Sequence, residues 1–537
     1  MTWSQADGRL QYRPLASRAL PEAKEAAPLT EGAGGDPEAP LLDPLDHDTV
    51  DWRATGLCFL FPALGGLLFG YDIGATSGVL TSLTNPQLSG TDWSNLSAFQ
   101  SGLVVSTSLL GALAGSLVAL AAGNRLGRRT EILLAALLYG VSSASLGAAD
   151  SLNWLLACRL GYGLGIGLAM HAAPAYIAET SPPTVRGLLI SLKEAAIVGG
   201  ILLGYFTGYV FADDVGGWRS MYACAAPLAL ALGLGMASLP ESPRWLLLSG
   251  AGRDAAAAAL ARAEGARAAD PRVVQAELDA MVTGAAADGG GGGGSQGGAK
   301  LLALFGEARY RRPLLIGSSL MLFQQITGQP SVLYYANQIF EKAGFSSGQE
   351  AAEVSVVLGA FKLLMTIVAV ATVDKLGRRP LLLAGVSGMV VALLALGLAQ
   401  GSGGGGGGAV AGVSVVALLL YVGCYQVSFG PISWLIVGEV FPLAVRSQAI
   451  ALAAVMNYAS NFGVSLALPT VQEAVGLPAT YLGFAGVGVV ALLSIYLTVP
   501  ETKGKTLEEI EAMWSSGGTT AAAAIAAPKA RDEGGSQ

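Results

Sequence analysis

Several ionisable side chains stand inside runs of apolar residues, among them Asp72, Arg159, His171, Lys193, Glu194 and Lys362. A charge at membrane depth is costly and rare, and by default it marks a path for a proton, an ion or a substrate. The acid Asp72 and the guanidinium Arg159 are therefore the first candidates for proton handling. A carboxylate beside a guanidinium stays ionised, and one parted from it in a low-dielectric surrounding takes up a proton. Each tenfold change in proton affinity is worth about 1.4 kcal/mol, so two or three such factors suffice to tie protonation to a movement. A permanent structural ion pair is the alternative. His171, shortly before Pro174, is the right type for a proton relay, although a hydrogen-bonded packing histidine is favoured. The adjacent amides Gln324 and Gln325 supply hydrogen-bond donors and acceptors together.

These groups need an apolar scaffold, and the composition provides one. Of 537 residues, 52% are hydrophobic and 13% charged, against about a quarter charged in a soluble domain. Mean hydropathy is +0.54. The 74 glycines suit membrane helices whose backbones approach closely. Apolar stretches of spanning length are read near 55–80, 98–122, 131–149, 153–178, 187–211 and 219–239. A second set is read near 313–340, 353–373, 381–399, 410–437, 446–468 and 479–499. The expectation is an all-α membrane protein of twelve helices in two six-helix bundles, 51–239 and 313–499. A disordered tail (1–50), a central segment (240–312) and a C-terminal tail (500–537) complete the chain. The stretch from Arg253 to Met281 reads as amphipathic helix, and the glycine runs at 289–294 and 403–408 read as flexible insertions.

Arg125, Arg128, Arg129, Arg186, Lys375, Arg378, Arg379, Arg446, Lys503 and Lys505 all fall on one side of this topology. The positive-inside rule places that side, with both tails, in the cytoplasm. The net charge of −7 says little, because most acids lie in the tails. No basic face suggests a nucleic-acid partner. Cys58, Cys158, Cys224 and Cys424 share no ligand spacing and read as buried thiols. The N-terminus lacks the apolar core and cleavage site of a secretory signal. Asn95-Leu-Ser97 is the only glycosylation sequon, and such triplets often occur by chance.

The two sets repeat each other. Gly123-Asn-Arg-Leu-Gly-Arg-Arg129 is echoed by Val373-Asp-Lys-Leu-Gly-Arg-Arg379. Ile177-Ala-Glu179 with Arg186 is echoed by Val437-Gly-Glu439 with Arg446, and Pro240-Glu-Ser by Pro500-Glu-Thr. A parallel duplication puts a substrate between two bundles near the midplane, exposed alternately by rocking. Recurrence of acid and base together favours a conformational latch of Arg128, Glu179, Arg186, Glu241, Arg378, Glu439, Arg446 and Glu501 over simple anchoring.

Further phrases run in order at helical spacing: Gly65-Gly-Leu-Leu-Phe-Gly-Tyr-Asp72, Pro240-Glu-Ser-Pro-Arg-Trp245, Gln324-Gln-Ile-Thr-Gly328, Leu333-Tyr-Tyr335 and Pro500-Glu-Thr-Lys-Gly504. Over residues 52–512 the chain resembles the sugar porter branch of the major facilitator superfamily. Gln324 to Ser331 and Tyr421 to Pro431 look closest to the plant D-xylose-proton symporter-like group. The resemblance implies that Asp72 takes a proton and Arg159 pairs with it. It implies sugar contacts from Gln324, Gln325, Trp434 and Asn457, and a gate at Tyr334 and Tyr335. Glu194 stands where many sugar porters have glutamine, Pro330 where they have asparagine, and Lys362 where facilitators have asparagine. Gln426 stands where facilitators have glutamate. Glu194, Lys362 and Gln426 are thus taken into the binding site, and the sugar's identity comes into question. Either Glu194 pairs with Lys362 across the cavity, or Lys193 snorkels outward and Glu194 pairs locally.

The implied function is symport of a pentose or hexose with a proton through a lipid bilayer, by one copy of the chain and without a cofactor. Facilitative uniport is the alternative, and a non-transporting sugar sensor a lesser one. No nucleophile–base pair, metal spacing or nucleotide loop suggests an enzyme. Plasma, vacuolar and plastid envelope membranes all stay open.

Overall fold

A computed structural model describes residues 50–122, 125–265, 271–287, 304–345, 347–401, 408–442, 445–505, 509–510 and 513–514, with a short antiparallel pair, Gln5–Ala6 and Arg9–Leu10. The rest of the N-terminal tail, the C-terminal tail beyond 514 and residues 289–294 and 403–407 of the glycine runs lie outside the described residues.

Asp51 opens the first membrane helix, α1 (Trp52–Thr84), its side chain accepting from the Arg53 and Ala54 amides. Those donors are among the groups that a helix start leaves unsatisfied. Four helices of spanning length follow: α2 (Ala98–Ala122), α3 (Arg128–Gly147), α4 (Leu152–Thr180) and α5 (Pro183–Val210). The next crossing divides at Cys224 into α6 (Gly217–Ala223) and α7 (Ala225–Ser238).

The central segment holds α8 (Pro243–Ser249), α9 (Arg253–Glu264) and α10 (Pro271–Ala287). The one amphipathic helix expected from Arg253 to Met281 is therefore two. Gly265, at φ +60°, ends the first, and Pro271 begins the second. Ala256, Leu260, Val274 and Leu278 form the small core they share.

The second set begins with a broken rod: α11 (Ala308–Ile326), α12 (Gln329–Tyr334) and α13 (Ala336–Ala343). Gly328 takes the left-handed region at φ +90°, and Pro330 lacks an amide hydrogen. The chain thus unwinds directly after Gln324 and Gln325. The rest comprises α14 (Gly348–Leu376), α15 (Arg378–Gly401), α16 (Gly408–Val427), α17 (Phe429–Val440) and α18 (Arg446–Thr498).

Ten spans among the described residues are long and apolar enough to cross a membrane. The last, within α18, runs through a kink at Gly476. Taking it as two crossings, and the rod α11–α13 as one, would reach the twelve expected from the sequence. Leu234, Leu398 and Leu497 are each 66% exposed, an outward apolar surface suited to lipid.

In the first set α1 packs on α5, and α4 on both α2 and α3; in the second, α15 packs on α16 and α18. The sets meet where α2 lies on α18 and α5 on α14. Polar contacts join them at the end away from the arginines: the Tyr205 hydroxyl donates to the Leu333 carbonyl at 2.8 Å and the Asn337 amide to Ser77 Oγ at 3.0 Å.

Candidate functional site

Asp72 and Arg159 meet. On α1 and α4 respectively, they are 3% and 0% exposed, with Asp72 Oδ1 2.9 Å from Arg159 Nη1. Arg159 Nη2 reaches Asp72 Oδ2 at 3.4 Å, Ser108 Oγ at 2.9 Å and the Val105 carbonyl at 3.2 Å. Ser108 donates in turn to Asp72 Oδ2 at 2.9 Å. Arg159 Nη1 also donates to the Tyr222 hydroxyl at 2.6 Å, and that hydroxyl lies 3.3 Å from Thr76 Oγ1. A buried ion pair relies on further hydrogen bonds to its remaining atoms; Ser108, Tyr222 and the Val105 carbonyl supply them, while Arg159 Nε finds no partner among the described residues. Sequence reading missed all three. Ser108 and Tyr222 offered only a hydroxyl within an apolar helix, which is too common to single out, and the Val105 carbonyl offered no side-chain signal at all.

The second set supplies a buried amide cluster. Gln324 Nε2 donates to the Phe429 and Gly430 carbonyls at 2.8 and 3.3 Å, and Asn457 Nδ2 donates to Gln324 Oε1 at 2.7 Å. The break between α16 and α17 at Ser428 thus presents its carbonyls to Gln324. Gln325 is buried, and its Oε1 finds no partner among the described residues. Gln329, the residue before Pro330, is 2% exposed, with Nε2 likewise unpartnered among the described residues. Asn461 Oδ1 accepts from Ser465 Oγ at 3.1 Å, and Ser465 Oγ lies 3.2 Å from Ser331 Oγ. Gln329, Asn461 and the two serines were not foreseen.

Tyr334 and Tyr335 sit at the α12 break. Tyr335 donates to the Ser465 carbonyl at 3.0 Å. The Tyr334 hydroxyl is buried and finds no hydrogen-bond partner among the described residues. Trp434 on α17 remains 37% exposed.

Glu194 and Lys362 do not pair in this conformation. Lys193 Nζ holds Glu194 Oε1 at 3.1 Å, while Lys362 donates to Gln426 Oε1 and lies 5.5 Å from the Tyr425 ring centre. Lys193 is itself buried, so the local pair forms without snorkelling. His171 Nδ1 lies 2.8 Å from Oε1 of the fully buried Glu131, and the His171 side chain itself is 36% exposed. The four cysteines are free.

At the basic end the repeat is visible in the contacts. Arg128 Nε lies 3.6 Å from Glu179 Oε2, and Arg378 Nη2 lies 3.0 Å from Glu439 Oε1. Each pair ties helices within its own set. Glu241 and Glu501 are engaged differently from the expected latch. Glu241 accepts from the Arg129 amide at 2.8 Å, and Glu501 from the Arg378 and Arg379 amides at 3.1 and 3.0 Å. Both carboxylates therefore sit on helix N-termini, where free amides and the helix dipole favour negative charge. A Cβ on Gly127 would fall 2.0 Å from Glu241 Oε2, and one on Gly377 2.9 Å from Glu501 Oε2, so the glycine of the repeated motif makes room for the acid. Arg186 and Arg446 bond the backbone carbonyls of Ser181 and Phe441 at 3.2 and 3.1 Å. Glu501→Ala should cost about 1–2 kcal/mol of stability, read as a lower melting temperature of the solubilised protein. An unchanged melting temperature would refute the capping role.

Residues 58–514 match the family profile described as Sugar (and other) transporter. The chain is 51% identical over 472 residues to "D-xylose-proton symporter-like 3, chloroplastic" of Arabidopsis thaliana, covering 86% of this chain and 83% of that one. It is 33% identical over 489 residues to the D-xylose-proton symporter of Escherichia coli (strain K12), covering 85% and 94%. Among solved structures, the inward open conformation of the xylose transporter XylE from E. coli matches with a TM-score of 0.70 at 30% identity, over 85% of this chain and 99% of that one.

Proposed function

We propose that this chain, which belongs to the Sugar (and other) transporter family, carries a pentose or hexose across a membrane together with a proton by alternating access. It is an integral membrane protein of the major facilitator fold and a transporter rather than an enzyme. The ion pair of Asp72 and Arg159 is the observation that carries the coupling. It is buried and hydrogen-bonded with Ser108, Tyr222 and the Val105 carbonyl, and α1, which carries the acid, packs against α12 of the other set. Rocking that shifts α12 changes the field at the acid, and with it the affinity for a proton. The amides of Gln324, Gln325, Gln329 and Asn457, with acceptor and donor atoms still free at Gln325 and Gln329, suit a ligand of many hydroxyls. Trp434, Glu194 and Gln426 complete the proposed site, with Tyr334 and Tyr335 as its gate.

The basic end faces the cytoplasm in this reading, so both termini lie there. The inter-set bonds at the far end and the likeness to an inward open relative support a site open toward the basic end. One copy of the chain holds both bundles and forms the transport unit. The name of the chloroplastic relative makes the plastid envelope the first membrane to examine with a fluorescent fusion, with the plasma and vacuolar membranes as the other outcomes.

The test is uptake of D-xylose into proteoliposomes with and without a proton gradient. Symport drives the internal concentration above the external one only with the gradient. Flux that stops at equilibrium in both cases means uniport, and absence of any sugar flux means a sensor.

A further inference from the structure

Glu194 on α5 and Lys362 on α14 are opposite charges carried by opposite sets. Helices α5 and α14 cross near Tyr205 and Gly359, where an added Cβ on Gly359 would lie 2.9 Å from Tyr205 Cδ2 and 3.2 Å from Leu202 Cα. From that crossing toward the basic end, Glu194 lies eight residues from Leu202 and Lys362 three from Gly359. Residues three, four and eight apart share a helix face, so both side chains rise from the faces that the two helices turn to each other. The Glu194 carboxylate is within electrostatic reach of Lys362, Tyr425 and Tyr458, all in the second set.

In the present conformation the Glu194 side chain is 41% exposed and Lys362 has a glutamine and an aromatic ring for company. Water can hydrate the acid while the basic end is open. Closing that end expels the water, and the Lys362 ammonium, which has a glutamine and a ring but no carboxylate here, is then strongly unfavourable unless an acid reaches it. Lys193 sits beside Glu194 on the same helix, so it cannot draw the two sets together.

We propose that Glu194 and Lys362 form an ion pair across the central cavity when the basic end closes, and that this pair holds the empty carrier shut during its return. Glu194 is then shared between the Lys193 and Lys362 ammoniums. When sugar is aboard, its hydroxyls accept from Lys362 and donate to Glu194, bridging the same two charges. Both act in the closing step, and the inference rests on the alternating-access reading above.

The test has two arms. In proteoliposomes with D-xylose as the probe, Glu194→Gln and Lys362→Gln should each slow net uptake about tenfold or more. Glu194→Lys combined with Lys362→Glu should restore it to within about threefold of the parent, the signature of direct coupling between the two sites. In the second arm, Glu194→Cys and Lys362→Cys are introduced after the native cysteines are replaced, and a short bifunctional thiol reagent is applied with and without Gly102→Trp. Gly102 abuts the α18 backbone, an added Cβ lying 2.4 Å from the Leu466 carbonyl oxygen. A tryptophan there wedges the far end open and so favours closure of the basic end. Cross-linking should rise severalfold. A double variant no better than the single ones, or cross-linking unmoved by the wedge, overturns the proposal. If the parent carries no D-xylose, the sugar reading fails by itself and cross-linking still decides this one.

Discussion

Asp72→Asn is expected to reduce proton-driven accumulation to the equilibrium level while downhill sugar exchange continues. Asparagine has the shape of a protonated aspartate: its one oxygen can still accept from Arg159, and its amide nitrogen can donate to Ser108 Oγ, whose own hydrogen has the Val105 carbonyl as an acceptor. If Asp72 is the acid that cycles, the fold must already tolerate its neutral form, so this variant should insert and fold. It should lack only the ability to exchange a proton. A gradient of one pH unit stores about 1.4 kcal/mol per proton, enough for roughly tenfold accumulation in the parent at one proton per sugar. The same gradient should give no accumulation in the variant. The opposite change is predicted to be harsher. Arg159→Ala leaves a carboxylate without its cation in a site that excludes water, which costs about 3–5 kcal/mol and should appear as poor yield. Continued uphill uptake by Asp72→Asn would remove Asp72 from the coupling role.

The second large effect is structural. Helices α1 and α5 approach so closely that an added Cβ on Gly70 would fall 1.8 Å from the Ile197 carbonyl oxygen, and one on Gly200 2.0 Å from that of Leu67. No rotamer relieves such a clash, because the obstacle is backbone; the helices must part. Parting them loosens α1, the helix that carries Asp72. Gly70→Ala or Gly200→Ala should therefore cost more than about 3 kcal/mol, seen as loss of the monodisperse solubilised peak. Gly199→Ala is the control: it neighbours Gly200, yet nothing lies within 4 Å of its added Cβ. It should leave stability unchanged or raise it by about 0.5–1 kcal/mol through helix propensity. Equal behaviour of the adjacent glycines would refute close backbone contact as the cause.

Much of this protein follows from local pattern. Long apolar runs fix helices in a bilayer because an unpaired backbone group in lipid is too costly for any other spanning element. That is why α2 occupies the stretch read for it, 98–122. The repeat announced paired acid and base at the basic end, since duplicated phrases fold alike, and Arg128 with Glu179 matches Arg378 with Glu439. The rarity of charge inside apolar runs singled out Asp72 and Arg159 without knowledge of their distance.

Partnership was decided only by the tertiary structure. Glu241 and Glu501 read as members of a latch, and in this conformation they cap helices whose starts are remote in sequence. Whether Glu194 meets Lys193 or Lys362 depends on how far two helices have swung, a quantity absent from linear spacing. Ser108 and Tyr222 became visible only once folding placed them beside Arg159, and Gln329 only once its amide was buried without a partner among the described residues. Spacing along a chain sets which face of a helix a residue occupies. What that face touches is settled by the packing of helices remote in sequence, where unpaired charge and colliding backbone exclude most alternatives.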